Sequence, residues 1–236
     1  MTENVDIAEL EKFDGLARSW WDAHGDFKPL HQINPLRMGY IESKAGGLEG
    51  LRVLDVGCGG GILTESLARA GAHVTGIDMA EKPLGVARLH AIESGLVDRI
   101  EYERSTIEAF AERHAGEFDI VTCLEMLEHV PEPASVIATC HTLLKPGGHL
   151  FLSTINRNPK SYVLAIIGAE YVLGLLPRGT HDYRKFIRPS ELAAMLRAAR
   201  LKIEDVTGMT YNPLTDVYRL GRDTDVNYLV HATRGQ

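Results

Sequence analysis

Hydrophobic and polar positions along this chain follow two different periods, and the switches between them mark out the elements. "LRVLDVG" (51–57), "HVTGID" (73–78), "IEYERS" (100–105), "FDIVTCLE" (118–125) and "HLFLSTI" (149–155) are short runs rich in β-branched and aromatic residues, the signature of strands. "FDIVTCLE" is apolar almost throughout, as a strand covered on both faces of a parallel sheet must be. Between these runs, "GILTESLARAG" (61–71), "KPLGVARLHAIESG" (82–95) and "EPASVIATCHTLL" (132–144) carry apolar residues at helical spacing, and Gly71 and Gly95 stop the first two. "KPGG" (145–148) reads as a turn; later, "PSELAAMLRAAR" (189–200) reads as a helix, and "LKIEDVTG" (201–208) and "VNYLVHATR" (226–234) as closing strands. Residues 6–48 look helical, with a proline-containing break at "KPLHQINPLR" (28–37). Alternating strands and helices predict an α/β fold with a doubly wound, mostly parallel sheet. In such sheets the ligand sits beyond the carboxyl ends of the strands, at the switch point.

Composition narrows the class. The 236 residues are 44% hydrophobic and 24% charged, enough for one α/β domain, and no repeat or linker divides them. A net charge of -7 gives no general attraction to nucleic acid. Cys58, Cys123 and Cys140 form no C-x-x-C pair, so reduced thiols in a cytoplasmic protein are expected. The acidic N-terminus does not read as a signal peptide, and no apolar run reaches bilayer length.

The chemistry begins at "VLDVGCGGGIL" (53–63), where a strand runs into glycines. A dinucleotide fingerprint would need a third glycine where Ile62 stands, and a phosphate P-loop would end in Gly-Lys-Ser/Thr rather than Gly61-Ile62-Leu63. What remains is D-x-G-x-G-x-G, with Asp55, Gly57, Gly59 and Gly61. A carboxylate there repels pyrophosphate and suits a cation. Asp78 ends the next strand, 21 positions after Gly57, near the offset at which an acidic residue binds ribose hydroxyls. A ribose, a positive charge and no phosphate describe S-adenosylmethionine. A strained turn with incidental glycines, and Asp78 as a helix cap, are the plainer alternatives.

"VLDVGCGGG", "VTGIDM", "FDIVTCLEMLEHV" and "LLKPGG" resemble the successive motifs of class I, seven-stranded, Rossmann-like methyltransferases. "WWDAHGDFKPLHQINPLRMGYI", "GTHDYRKFI" and "YNPLTDVYRLG" narrow the resemblance to ubiquinone-biosynthesis O-methyltransferases, over nearly the whole chain. The resemblance implies one methyltransferase domain over 1–236. Its parts are lid helices at 1–48, a cofactor-binding half at 49–156, an amphipathic helical insertion at 157–188 and a substrate-side half at 189–236. It implies two O-methylations of a polyprenylated phenol or quinol, and association with other enzymes of that pathway. Its cofactor contacts fall on Arg37, Gly57, Asp78 and Leu124, with Arg37 pairing the methionine carboxylate. The loop motif adds Asp55 and Gly59, and Ser105 and Thr106 follow the third strand towards the adenine. Another small phenolic substrate, a nicotinamide-dependent oxidoreductase and a non-catalytic cofactor-binding protein are the competing readings.

"CLEMLEHVPEP" (123–133) spaces Glu125, Glu128 and His129 so that a helical turn would put them on one face. A phenol of pKa about 10 needs a base or a cation to ionise near neutrality. Two expectations follow. Glu125, Glu128 and His129 hold a divalent cation, Mg²⁺ by the resemblance, with Zn²⁺ or Mn²⁺ open because of the histidine; or His129 acts directly as base, with Glu128 as the second catalytic residue. "SYVLAIIGAEYVLGLLP" (161–177) holds one charge, Glu170, and has Arg157, Lys160, Arg178, Arg184, Lys185 and Arg188 on its flanks. Too short and broken to span a bilayer, it suits peripheral contact with the inner face of the cell membrane; an internal lid or dimer contact is the alternative. His181 follows it as a substrate-pocket candidate, whereas His24, His31, His141 and His149 read as surface or packing residues. Trp20 and Trp21 are expected in a lid over the cofactor.

Overall fold

A computed structural model of the protein describes residues 4–162 and 182–236. Its centre is a sheet in the order β3-β2-β1-β4-β5-β8-β6-β7. The strands are β1 (Arg52–Val56), β2 (His73–Asp78), β3 (Ile100–Arg104), β4 (Phe118–Leu124), β5 (Leu144–Ile155), β6 (Leu201–Asn212), β7 (Val217–Gly221) and β8 (Asn227–Arg234). The first five pair parallel, β8 lies antiparallel between β5 and β6, and β7 turns back antiparallel along β6. The order reverses between β1 and β4, which opens a crevice at their carboxyl ends.

The helices are α1 (Ile7–Leu16), α2 (Lys28–Ala45), α3 (Ile62–Arg69), α4 (Glu81–Glu93), α5 (Ile107–His114), α6 (Pro133–Leu143), the single turn α7 (Pro159–Ser161) and α8 (Pro189–Ala198). Alternate residues of β4 point to opposite faces. Val121 and Cys123 join a core with α6 and α8 residues such as Ile137 and Leu196, while Ile120 and Leu124 join one with Ile41 of α2 and Leu67 of α3. The apolar reading of β4 is therefore met on both sides.

Three expectations need correction. The sheet has eight strands rather than seven, because "YNPLTDVYRLG" supplies β7 as the outer arm of a hairpin. The N-terminal break is not at the prolines. Pro29 opens α2, where a missing N–H costs nothing, and the helix runs on through Pro35 with Ile33, Arg37, Tyr40 and Ile41 buried beneath it; the chain instead breaks over residues 17–27. The "KPGG" turn lies inside β5, as an irregularity in its pairing with β4. An unanticipated helix, α5, is started by the Thr106 hydroxyl, which accepts from Ala109 N, and is anchored by buried Ile107 and Phe110. His181 and residues 163–177, including Ile166, Glu170 and Leu173, lie outside the described residues, as does Arg178.

Candidate active site

The glycine loop leaves β1 with Gly57, Gly59 and Gly61 at φ 70°, 53° and 87°, a region closed to most side chains. What approaches them is protein. A Cβ on Gly57 would meet Met126 at 2.6 Å; on Gly59 it would meet Trp20 at 2.1 Å, and on Gly61 the Tyr102 hydroxyl at 2.3 Å. The loop is tied to the end of β2: Gly57 N and Cys58 N donate to the Ile77 carbonyl at 2.9 and 3.1 Å, and Gly59 N donates to Asp78 Oδ2 at 2.9 Å. Asp78 also accepts from Ala80 N at 2.8 Å, so the cap role and the loop role coincide. Burial pushes its carboxyl above the ordinary value.

Asp55 is buried at the end of β1. It accepts from Thr64 Oγ1 at 2.7 Å and Thr122 Oγ1 at 2.8 Å, clasping α3 to β4 across the crevice. Burial outweighs those bonds and raises its pKa to about 6.

Arg37 reaches in from α2. Its Nη2 lies 2.9 Å from Glu125 Oε1, and its Nε is buried without a hydrogen-bond partner among the described residues. Glu125 follows β4 at φ 53° and accepts from Ser153 Oγ at 2.7 Å and Asn227 Nδ2 at 3.1 Å. Burial opposes its charge, but Arg37 and these donors hold it below the usual carboxylate range.

Glu125, Glu128 and His129 do not share a helical face. Glu125 has left-handed backbone, and only a three-residue 3₁₀ turn, Leu127–His129, follows. Their side chains diverge. Glu128 is 3% exposed and accepts from Thr154 Oγ1 at 2.8 Å; burial, then the neighbouring Glu125, raises its pKa. His129 Nδ1 lies 3.1 Å from Glu9 Oε2, and its ring meets Phe13 edge-on at 5.2 Å. Among the described residues no three His, Cys, Asp or Glu side chains are placed to hold a metal ion, so the expected Mg²⁺ ligand set is not assembled.

A cavity of about 190 Å³ gathers most of the remaining candidates: Arg37, Asp55, Gly57, Gly59, Asp78, Leu124, Glu125 and His129 line it, with Ser105 and Thr106 at its β3 side. Glu128, expected as the second catalytic residue, does not line it. Such a volume exceeds the need of one water more than tenfold, and apolar walls with a few convergent polar groups are the lining a ligand site shows. The lid closes it. Trp20 stacks on Phe27 at 4.0 Å, while Trp21 donates from Nε1 to the Gly60 carbonyl at 2.9 Å and stacks on His90 at 3.4 Å. Glu9, Met126 and Asn227 were not foreseen. Glu9 and Asn227 stand more than 100 residues from the groups they hold, and no local pattern announces such a pairing.

The family model described as "Methyltransferase domain" matches residues 31–206. The ubiquinone biosynthesis O-methyltransferase of Aromatoleum aromaticum is 65% identical over 98% of both chains, and that of Hahella chejuensis is 64% identical over 98% of this chain and 96% of its own. Among solved structures, magnesium protoporphyrin IX methyltransferase from Synechocystis PCC 6803 with bound SAH superimposes at TM-score 0.71, with 26% identity over 95% of both chains. The [4+2]-cyclase SpnF shares the fold at TM-score 0.64 and 20% identity, over 86% of this chain and 80% of its own.

Proposed function

The chain belongs to the ubiquinone biosynthesis O-methyltransferases, and on that premise we propose how its site performs the reaction. It is a methyltransferase that uses S-adenosylmethionine and acts on a polyprenylated phenol of that pathway. We assign to it both O-methylations, at two hydroxyls of the same ring. The observation that carries this reading is that the glycine loop, Arg37, Asp78 and His129 line one cavity at the switch point.

The residues fit the methyl donor. Arg37 offers an unpartnered, buried Nε to the donor's carboxylate, and a guanidinium presents its donors in the plane a carboxylate needs. Asp78 keeps acceptor capacity beside its bonds to backbone N–H groups, available to ribose hydroxyls. Asp55 adds a second acidic group under a cationic ligand, and Leu124 forms an apolar wall. The donor, when bound, supplies a methyl carbon on a positive sulfur, and the S–C bonding pair returns to that sulfur as the new O–C bond forms. His129 takes the phenolic proton at Nε2, so that the oxygen attacks with phenolate character. Trp20, Phe27 and Phe13 cover the cavity and exclude water from the reacting atoms.

Labelled methyl transfer to a short-prenyl demethylubiquinol tests this. His129→Asn should lower kcat on the order of 10²- to 10⁴-fold with donor affinity kept, whereas Asp78→Ala should chiefly raise the donor's dissociation constant. Tight donor binding without transfer by the native enzyme would sink the substrate assignment.

We also propose that residues 161–177, apolar with basic flanks, meet the cytoplasmic face of the membrane, where a polyprenyl chain resides. Replacing Ile166 and Leu173 together by Glu should abolish flotation with anionic vesicles and leave donor affinity intact. Flotation that survives the double substitution rejects the contact.

A further inference from the structure

We propose that Glu9, carried by the N-terminal helix α1, is the positioning residue that orients His129 for proton transfer. The proposal rests on the reading of His129 as base. An imidazole base needs one nitrogen protonated and held, and the other free. A carboxylate can only accept, so the 3.1 Å contact requires His129 Nδ1–H to donate to Glu9 Oε2. That fixes the tautomer with the lone pair on Nε2, the nitrogen assigned to the phenolic proton. The edge of the ring against Phe13 fixes its tilt. Glu9 and His129 both line the cavity, so the pair is assembled at the site.

Glu9 is itself fixed. Lys12 Nζ lies 3.3 Å from Oε2 and Lys185 Nζ 3.3 Å from Oε1. The two ammonium groups hold the carboxylate in place on the side away from the imidazole's free nitrogen. The arrangement has a consequence for the catalytic cycle: α1 lies outside the sheet, and His129 acquires its orienting partner only while α1 is docked. Closure of the lid and completion of the base become one event.

A plain docking role for Glu9 is the competing account, and Asp6 separates the two. Asp6 pairs with the same Lys185 at 2.8 Å and has no contact with His129. The experiment measures kcat and the donor's KM for Glu9→Gln, His129→Asn, the double variant and Asp6→Asn, with melting temperature and S-adenosylhomocysteine affinity as checks on folding. Glu9→Gln should lower kcat by about tenfold or more, since a misheld tautomer forfeits most general-base assistance, with the donor's KM unchanged. In the His129→Asn background it should cost nothing further. Asp6→Asn should keep kcat within about twofold, because the loss of one surface pair leaves α1 docked by its other contacts and the imidazole untouched. Wild-type kcat in Glu9→Gln, losses that multiply in the double variant, or an equal loss in Asp6→Asn would each overturn the proposal. Wild-type kcat in His129→Asn would instead overturn the base assignment on which it rests.

Discussion

His231 and Asp55 are buried ionisable residues that pull the stability of the protein in opposite directions with pH. His231 is 5% exposed, stacks on Phe151 at 4.8 Å and meets His149 at 2.9 Å. Burial, then the neighbouring His149, lowers its pKa from 6.5 to about 4. Its stabilising contribution is complete above the unfolded value and is lost as pH falls through the folded one. Asp55 has the reverse sign. Its pKa rises from 3.8 to about 6, so the folded protein is favoured below the lower value and loses that favour as pH climbs through the higher. Between pH 7 and 5 the two effects are each roughly 1 to 2 kcal/mol and nearly cancel. Replacing His231 by Phe, which keeps the stack on Phe151, should unmask Asp55. The urea-unfolding free energy of the variant should rise by roughly 2 kcal/mol from pH 7 to 5 relative to the native protein; parallel curves would show that His231 is not the opposing group. At this scale the sequence was partly legible. It announced that something approaches Gly57–Gly61 closely, and Asp55 and Asp78 stand where the motif put them. It could not announce that Trp20, Met126 and Tyr102 fill the space beside the glycines, since those contacts exist only after the chain has folded.

Elements were legible where one physical signal dominates. The apolar period of β4 and the glycines closing α3 and α4 left little choice. Legibility failed where the deciding interaction is tertiary. Pro35 would end an isolated helix, yet α2 continues because the face carrying Ile33, Arg37, Tyr40 and Ile41 is buried. β7 alternates half-exposed and exposed positions, as an edge strand can, and among the described residues it pairs with β6 alone. α5 buries two residues, Ile107 and Phe110, too few to raise a pattern above its neighbours. The spacing of Glu125, Glu128 and His129 misled for a related reason. Residues three and four apart share a face only if a helix exists to carry them, and the left-handed backbone at Glu125 prevents one. The consequence reaches the chemistry, because one residue of the three turns to Arg37, one to Thr154 and one to Glu9.

For the molecule as a whole, the decisive relation is between a well-packed sheet and an N-terminal helix attached by surface polar pairs and two half-buried apolar side chains. α1 contains no fully buried residue, although Phe13 and Leu16 pack on the cluster of Trp20, Phe27 and Ile62. Its attachments come from remote parts of the fold: Asn4 donates to Glu108 Oε1 and the Glu132 carbonyl at 3.1 Å, and Asp14 accepts from Lys82 N at 3.0 Å. Lys185 holds Asp6 and Glu9, and Glu9 holds His129. Each such pair near the surface contributes about 0 to 1 kcal/mol, and salt screens it beyond about 8 Å at physiological ionic strength. β1 and β4, by contrast, are buried along nearly their whole length. α1 should therefore open at a small fraction of the free energy needed to unfold the sheet. A methyl donor in the cavity would add contacts to Phe13 and Trp20 from below and so favour the closed lid. Amide exchange of residues 7–16 should be much faster than that of β4 in the free protein, should quicken with added salt, and should slow when S-adenosylhomocysteine is bound. β4 should respond to neither. Protection of α1 equal to that of β4, or exchange of α1 indifferent to the ligand, would show that the lid is part of the rigid core, and the coupling of closure to the Glu9–His129 pair would then have no motion to act through.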